Sequence, residues 1–180
     1  DLVEGRDNAT ALKLDVTSAE DIAAMQAMVE AAGGIDVLVN NAGFGYRAAI
    51  EEGDEDQVAD LFAVNVTGAV AMTKAVLPMM RAQRSGTIVN ISSIAAHLVL
   101  PGSGYYAATK AALEGVSDAL RGEVAPLGIR VMVVEPGPFR TEYSGRSLIG
   151  SDVNISDYDE TVGPRRKEVD RSHATQPRDP

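Results

Sequence analysis

The chain has 180 residues, 45% hydrophobic and 23% charged, which suits one globular domain with a sizeable core. Its 16 basic and 26 acidic residues leave a formal charge of -10, arguing against nucleic acid or an anionic membrane as the main partner. The absence of Cys excludes disulfides, thiol nucleophiles and thiolate metal sites, and fits a reducing, cytoplasmic compartment.

In chain order, residues 10–16 (TALKLDV) alternate and end in Asp-Val, which predicts a strand. Thr17 and Glu20 read as a capping box opening a helix whose apolar face is Ile22, Met25 and Val29, stopped at Gly33-Gly34. Residues 35–40 (IDVLVN) are β-branched and almost wholly apolar, as expected of a strand covered on both faces. A Gly-containing loop and the acidic cluster Glu51 to Asp56 lead to a long helical pattern. It runs to about Gln83, with Asn65 and Pro78 as its interruptions. No apolar stretch reads as long and unbroken enough to span a bilayer.

A strand is predicted at 87–92 (TIVNIS), a helix at 105–127 after the Pro101 to Gly104 loop, and a buried strand at 129–135 (IRVMVVE). Strands alternating with helices predict a parallel sheet with right-handed crossovers. Residues 144–180 are polar and weakly periodic, and read as loop with one short helix near 157–170.

The residues with chemistry cluster in the second half. Tyr106 and Lys110, four apart on the predicted helix, project from one face. A phenol ordinarily titrates at ~10, and a neighbouring cation can lower that by ~1–3 units, making Tyr106 a candidate general acid/base. Tyr105 has no lysine at that spacing and points elsewhere. Ser93, at the end of the 87–92 strand, offers a hydroxyl, with Ser92 as its competitor. A hydroxyl, a tunable phenol and a cation suggest proton transfer at a carbinol or carbonyl oxygen. The small residues Ala42 and Gly43 follow Asn40 at a strand's carboxyl end, where ligands approach the backbone in doubly wound sheets. His97 shows no second ligand in the sequence, and His173 sits in the polar tail, so no metal site is expected.

NNAG at 40–43, Asn65 in LFAVNVTG, Ser93 in IVNISS, YYAATK at 105–110 and PGPFRT at 136–141 together resemble the short-chain dehydrogenase/reductase family. Order and spacing agree from Leu14 to Thr141. The resemblance implies a Rossmann-like α/β fold, a doubly wound parallel sheet with helices on both faces, and NAD or NADP as cofactor. It makes Ser93 the substrate-oxygen donor, Tyr106 the acid/base, and Lys110 the group that lowers the phenol pKa and holds the ribose. Asn65 would hold a helix kink and a water that links Lys110 to solvent. Asp15 and Val16 would touch adenine, and Asn40, Ala42 and Gly43 would wall the adenosine half. Pro136, Gly137, Phe139 and Thr141 would lie near the nicotinamide.

The substrate expected by resemblance is a small alcohol or carbonyl compound, and the expected assembly a homodimer or homotetramer through helices 56–83 and 105–127. Residues 1–143 would form a partial dinucleotide-binding domain, and 144–180 a polar substrate lid and linker of that same domain. The family's glycine-rich phosphate turn has no counterpart before Asp15, and its final strand and helix have none after 144. The sequence is therefore expected to be an internal fragment, marginally stable alone and poor at binding dinucleotide. Two other readings stay open at this level: a sugar-nucleotide epimerase or dehydratase, and a non-catalytic dinucleotide-binding regulator.

Overall fold

The computed structural model describes residues 8–137 and 147–166. Helix α1 spans Ala19–Ala31. Its cap is Ser18, whose hydroxyl accepts from the Asp21 amide at 3.2 Å, and not Thr17. The Thr17 hydroxyl instead donates to Asp15 Oδ1 at 2.7 Å, and the Thr17 amide reaches the same oxygen. These bonds hold the exposed Asp15 carboxyl below its usual range.

Strands β1 (Val37–Asn40), β3 (Gly86–Ile91) and β4 (Ile129–Val134) form a parallel sheet in the order β1-β3-β4. Its register aligns Leu38 with Ile88, and Ile88 with Val131. The helix expected over 56–83, α2, is continuous from Glu55 to Gln83 and runs through Pro78. Asp54 caps it by accepting from the Gln57 amide at 2.9 Å. Helix α3 spans Gly104–Val124 and continues as a 3-10 turn to Leu127. Gly128 ends it at φ 76°, a left-handed conformation in which an added Cβ would fall 2.3 Å from the Arg84 carbonyl oxygen.

All three helices cover one face of the sheet. Met25 and Val29 of α1, Met72, Val76 and Met80 of α2, and Leu120 and Val124 of α3 pack with Leu38, Ile88, Ile129 and Val131. The opposite face is open among the described residues, because Val37, Val39 and Met132 are each at least half exposed. The expectation that 35–40 is covered on both sides is thus corrected.

Residues 10–16 are also not a strand. No described strand lies beside them, so their amides have no ladder to join. Leu14 and Val16 only lean on the α1–α2 core. By length and hydropathy, Glu55–Gln83 does qualify as a bilayer span, against the expectation from sequence. Here it serves as a core helix, with Leu61, Val76 and Met80 fully buried.

A second, two-stranded parallel sheet pairs β2 (Gly45–Arg47) with β5 (Leu148–Gly150), where only loop was expected. It docks the 147–166 segment onto the body. The clamp is Glu52, whose side chain is 1% exposed. Its carboxylate accepts from the Ala49 amide at 3.0 Å and the Ile155 amide at 2.8 Å, and pairs with Arg166. Burial raises the Glu52 pKa, but those donors outweigh it and hold the group below the usual carboxylate range. Around this clamp Tyr46, Ala48 and Leu61 form a small satellite core with Phe44, Val58 and Tyr105.

Candidate active site

The site forms where the carboxyl ends of β1, β3 and β4 meet helices α2 and α3. Its centre is a π-helical turn, Ala63–Gly68, inside α2. Asn65 sits in this turn at 1% exposure. Its Oδ1 accepts from the Phe44 amide at 3.0 Å, while Nδ2 donates to the Phe44 carbonyl at 2.9 Å and to Thr109 Oγ1 at 3.1 Å. The amide side chain thus brackets the loop after β1 against both long helices. Its side-chain polar atoms are all engaged within the fold. The π turn interrupts the α-helical pattern where Asn65 sits.

Thr109 completes the bracket and had not been singled out from the sequence. It is fully buried, accepts from Asn65 and donates to the Tyr106 carbonyl at 2.7 Å. Its only sequence signal was a polar β-branched residue within an otherwise apolar helix face.

Lys110 is 6% exposed, and its ammonium donates to the Ile91 carbonyl at 2.8 Å. Its nitrogen lies 5.7 Å from the centre of the Tyr106 ring. Burial lowers its pKa from 10.5 to about 8. The ammonium form therefore prevails at neutral pH and is lost through mildly alkaline pH. Gly43 closes the group from above, because a Cβ there would stand 3.0 Å from Asn65 Oδ1 and 3.7 Å from Lys110 Nζ. Small size at this position is what lets the NNAG loop approach the lysine.

Ser93 is partly buried, and its hydroxyl accepts from the Ala95 amide at 3.1 Å, capping a 3-10 turn over Ile94–Ala96. Its neighbour Ser92 is buried, with no hydrogen-bond partner for its hydroxyl among the described residues. Tyr105 is accounted for structurally. Its hydroxyl donates to the Ile50 carbonyl at 2.6 Å, and its ring fills the space a side chain on Gly53 would need.

The Asn40 side chain turns away from the strand end into the covered face. It donates to Asn90 Oδ1 at 2.8 Å and Thr73 Oγ1 at 3.1 Å, and Asn90 continues to Ser117. Any ligand contact by Asn40 is thereby left to its backbone. Ala42 and Gly43 are exposed at the strand end. Pro136 and Gly137 lie beside the Ser93 loop, joined through the Ile94 amide and the Pro136 carbonyl at 3.3 Å. Val16 packs against Gly68 of the π turn, and Asp15 is tied into its own turn. Phe139 and Thr141 lie outside the described residues.

Small residues and strand carboxyl ends thus surround a buried lysine with a phenol one turn before it. Comparison with known proteins places the chain in a family. The sequence profile of the short chain dehydrogenases matches residues 2–148, and the chain belongs to that family.

It is 43% identical over 134 residues to a 3-ketodihydrosphingosine reductase of Bacteroides thetaiotaomicron, covering 74% of this chain and 50% of that protein. Among solved structures, a short-chain dehydrogenase from Streptomyces avermitilis superposes with a TM-score of 0.87 at 46% identity. That match covers 94% of this chain and 64% of the other. A gluconate 5-dehydrogenase from Burkholderia cenocepacia, in complex with NADP and tartrate, gives 0.70 at 34% identity, over 73% and 52% of the two chains. The chain thus spans about half to two thirds of the length of these relatives. The family is one of NAD- or NADP-dependent oxidoreductases.

Proposed function

We propose that the protein catalyses NAD(P)(H)-dependent interconversion of an alcohol and a ketone or aldehyde. The observation that carries this is Lys110, a buried ammonium held by Ile91 one helical turn from Tyr106. Burying a cation without a carboxylate partner is costly, and such a cost is retained where the charge works on a neighbour. The residues present fit the ribose and nicotinamide half of the cofactor. Lys110 and Tyr106 would face it, Gly43 leaves backbone space beside it, and Pro136 and Gly137 border it. The described residues contain no glycine-rich turn for its pyrophosphate.

When bound, the reduced cofactor supplies hydride to the carbonyl carbon. Ser93 would donate its hydroxyl proton to the substrate oxygen while the same oxygen goes on accepting from the Ala95 amide. Tyr106 would donate the proton that the forming alkoxide needs. The Lys110 charge stabilises the negative charge left on the phenol oxygen. Asn65 and Thr109 hold the lysine and phenol in register without touching substrate.

A groove of about 440 Å³ lined by Ala48, Ile50, Val99, Leu100, Pro101, Gly102 and Gly104 adjoins the start of α3. Its apolar lining suits a ketone carrying an alkyl chain, in line with the name of the Bacteroides relative. Segment 147–166, clamped at Glu52, would form one side of the substrate entrance.

The test is Tyr106→Phe in the whole protein, assayed by NAD(P)H oxidation across polar and alkyl ketones. Turnover is expected to fall by about a thousandfold or more, with cofactor affinity retained. Equal loss of cofactor binding and turnover would point to a structural tyrosine and reject the proposal.

A further inference from the structure

Close to the candidate active site, the fold gathers a second group that sequence spacing could not suggest. His97 ends the 3-10 turn that follows Ser93, Glu135 follows β4, and Glu114 lies one helical turn beyond Lys110 on α3. One ligand atom from each lies within 4.8 Å of the other two. His97 Nε2 stands 3.3 Å from Glu135 Oε1. Glu114 Oε1 is buried and has no hydrogen-bond partner among the described residues. Among the described residues, neither carboxylate is paired with a lysine or arginine.

We propose that His97, Glu114 and Glu135 form a binding site for a divalent transition-metal ion of the zinc type. Two carboxylates this close repel one another, and the imidazole contacts only one of them. A dication satisfies both, and gives the buried Glu114 oxygen the partner it lacks.

The His97–Glu135 separation already suits such an ion, and Glu114, within 4.8 Å of both, would draw in to coordinate it. Two ligands ~2.0–2.1 Å from zinc at a tetrahedral angle stand about 3.3–3.4 Å apart, the separation His97 and Glu135 already have. One nitrogen and two carboxylate oxygens favour zinc, manganese, cobalt or ferrous iron. Calcium and magnesium prefer all-oxygen shells. Three protein ligands leave a coordination position for water.

The ligands come from three segments, and each borders a residue of the candidate active site: Ser93 before His97, Lys110 before Glu114, and Pro136 after Glu135. An ion held there pins the Ser93 loop to α3 and to the end of β4. The site is a structural staple for the catalytic loop and has no role in the chemistry at Tyr106.

The experiment uses chelator-stripped protein titrated with Co²⁺ and then Zn²⁺. Visible d–d bands, isothermal titration calorimetry and thermal melts are the readouts. The expected result is one saturable site, bands typical of low-coordinate Co²⁺ that Zn²⁺ abolishes, and a melting point that rises with Zn²⁺. His97→Ala and Glu114→Gln should each weaken Zn²⁺ binding by more than about tenfold, with His173→Ala without effect. His97 is largely exposed, so His97→Ala should fold and keep the test decisive if Glu114→Gln does not. Absence of saturable binding, or equal binding by wild type and His97→Ala, would overturn the proposal. So would a Glu114→Gln variant that is more stable than wild type while the wild type shows no metal-dependent melt. That outcome would assign the cluster to a proton shared by the two carboxylates.

Discussion

On one face of the three-stranded sheet Leu38, Ile88 and Val131 are between 0% and 8% exposed, whereas on the other Val37, Val39 and Met132 are 50–54% exposed. Both sets are aliphatic or thioether side chains on the same strands, alternating residue by residue. Composition therefore does not distinguish the faces; coverage does. The covered face carries the helices that present Asn65, Thr109, Tyr106 and Lys110, so the candidate chemistry and most of the packing energy share one side. The open face carries neither. Its apolar composition belongs to a surface meant to be covered, since a strand facing water alternates apolar with polar residues.

The contrast can be broken most forcibly at Ile88. Ile88→Ala on the covered face is expected to cost about 2–5 kcal/mol in urea unfolding, because the cavity lies among fully buried Val76 and Met80. A cost below ~1 kcal/mol would mean the helices do not grip that face in solution.

Lys110→Met tests a buried charge on the covered side and should act in the opposite direction. The native pKa of about 8, against 10.5 unfolded, means the native state binds this proton less readily. Folding therefore carries a penalty on the order of 3 kcal/mol below pH 8, which fades as pH rises to about 10.5. The methionine variant should melt several degrees higher at pH 7, less the lost bond to Ile91, with the gap closing by pH 10.5 and turnover abolished. A gap independent of pH would assign the stabilisation to packing instead.

The smallest effect is expected on the open face. Val39→Thr should change stability by no more than about 0.5 kcal/mol, while reducing binding of a dye that reports apolar surface. A loss comparable to that at Ile88 would show that something covers Val39 in solution.

Much of this arrangement was legible in the sequence. The largely apolar runs at 35–40, 87–92 and 129–135 read as strands of a parallel sheet, and the Tyr106–Lys110 spacing put both on one helix face. Asn65 stood out because a lone amide in an apolar helix demands partners. Less legible was whatever depends on neighbours. Residues 10–16 have strand composition, but a strand exists only where another offers its hydrogen bonds. The β2–β5 sheet is made of two three-residue segments far apart in the chain, too short to give a periodicity. Thr17 was read as the cap, but its hydroxyl bonds to Asp15, and Ser18 caps the helix instead. The His97 cluster was invisible for the same reason as the small sheet: its members are local only in three dimensions.

The π turn at Ala63–Gly68 has a consequence for how α2 tolerates change. Each residue advances an α-helix by about 100°, so one residue more or less alters the phase of everything beyond it. The wide turn sets the angular offset between two messages written on one helix, the bracket at Asn65 and the apolar stripe of Met72, Val76 and Met80. Deleting a single residue from 66–68 would regularise the helix locally and leave Asn65 near its loop. The stripe would keep its phase, because the wide turn holds about one residue more than an α turn for nearly the same rotation. The active-site bracket and the core are thus geared together through one irregular turn, and forcing it into α-helix with all its residues kept would rotate the stripe off the sheet by about 100°.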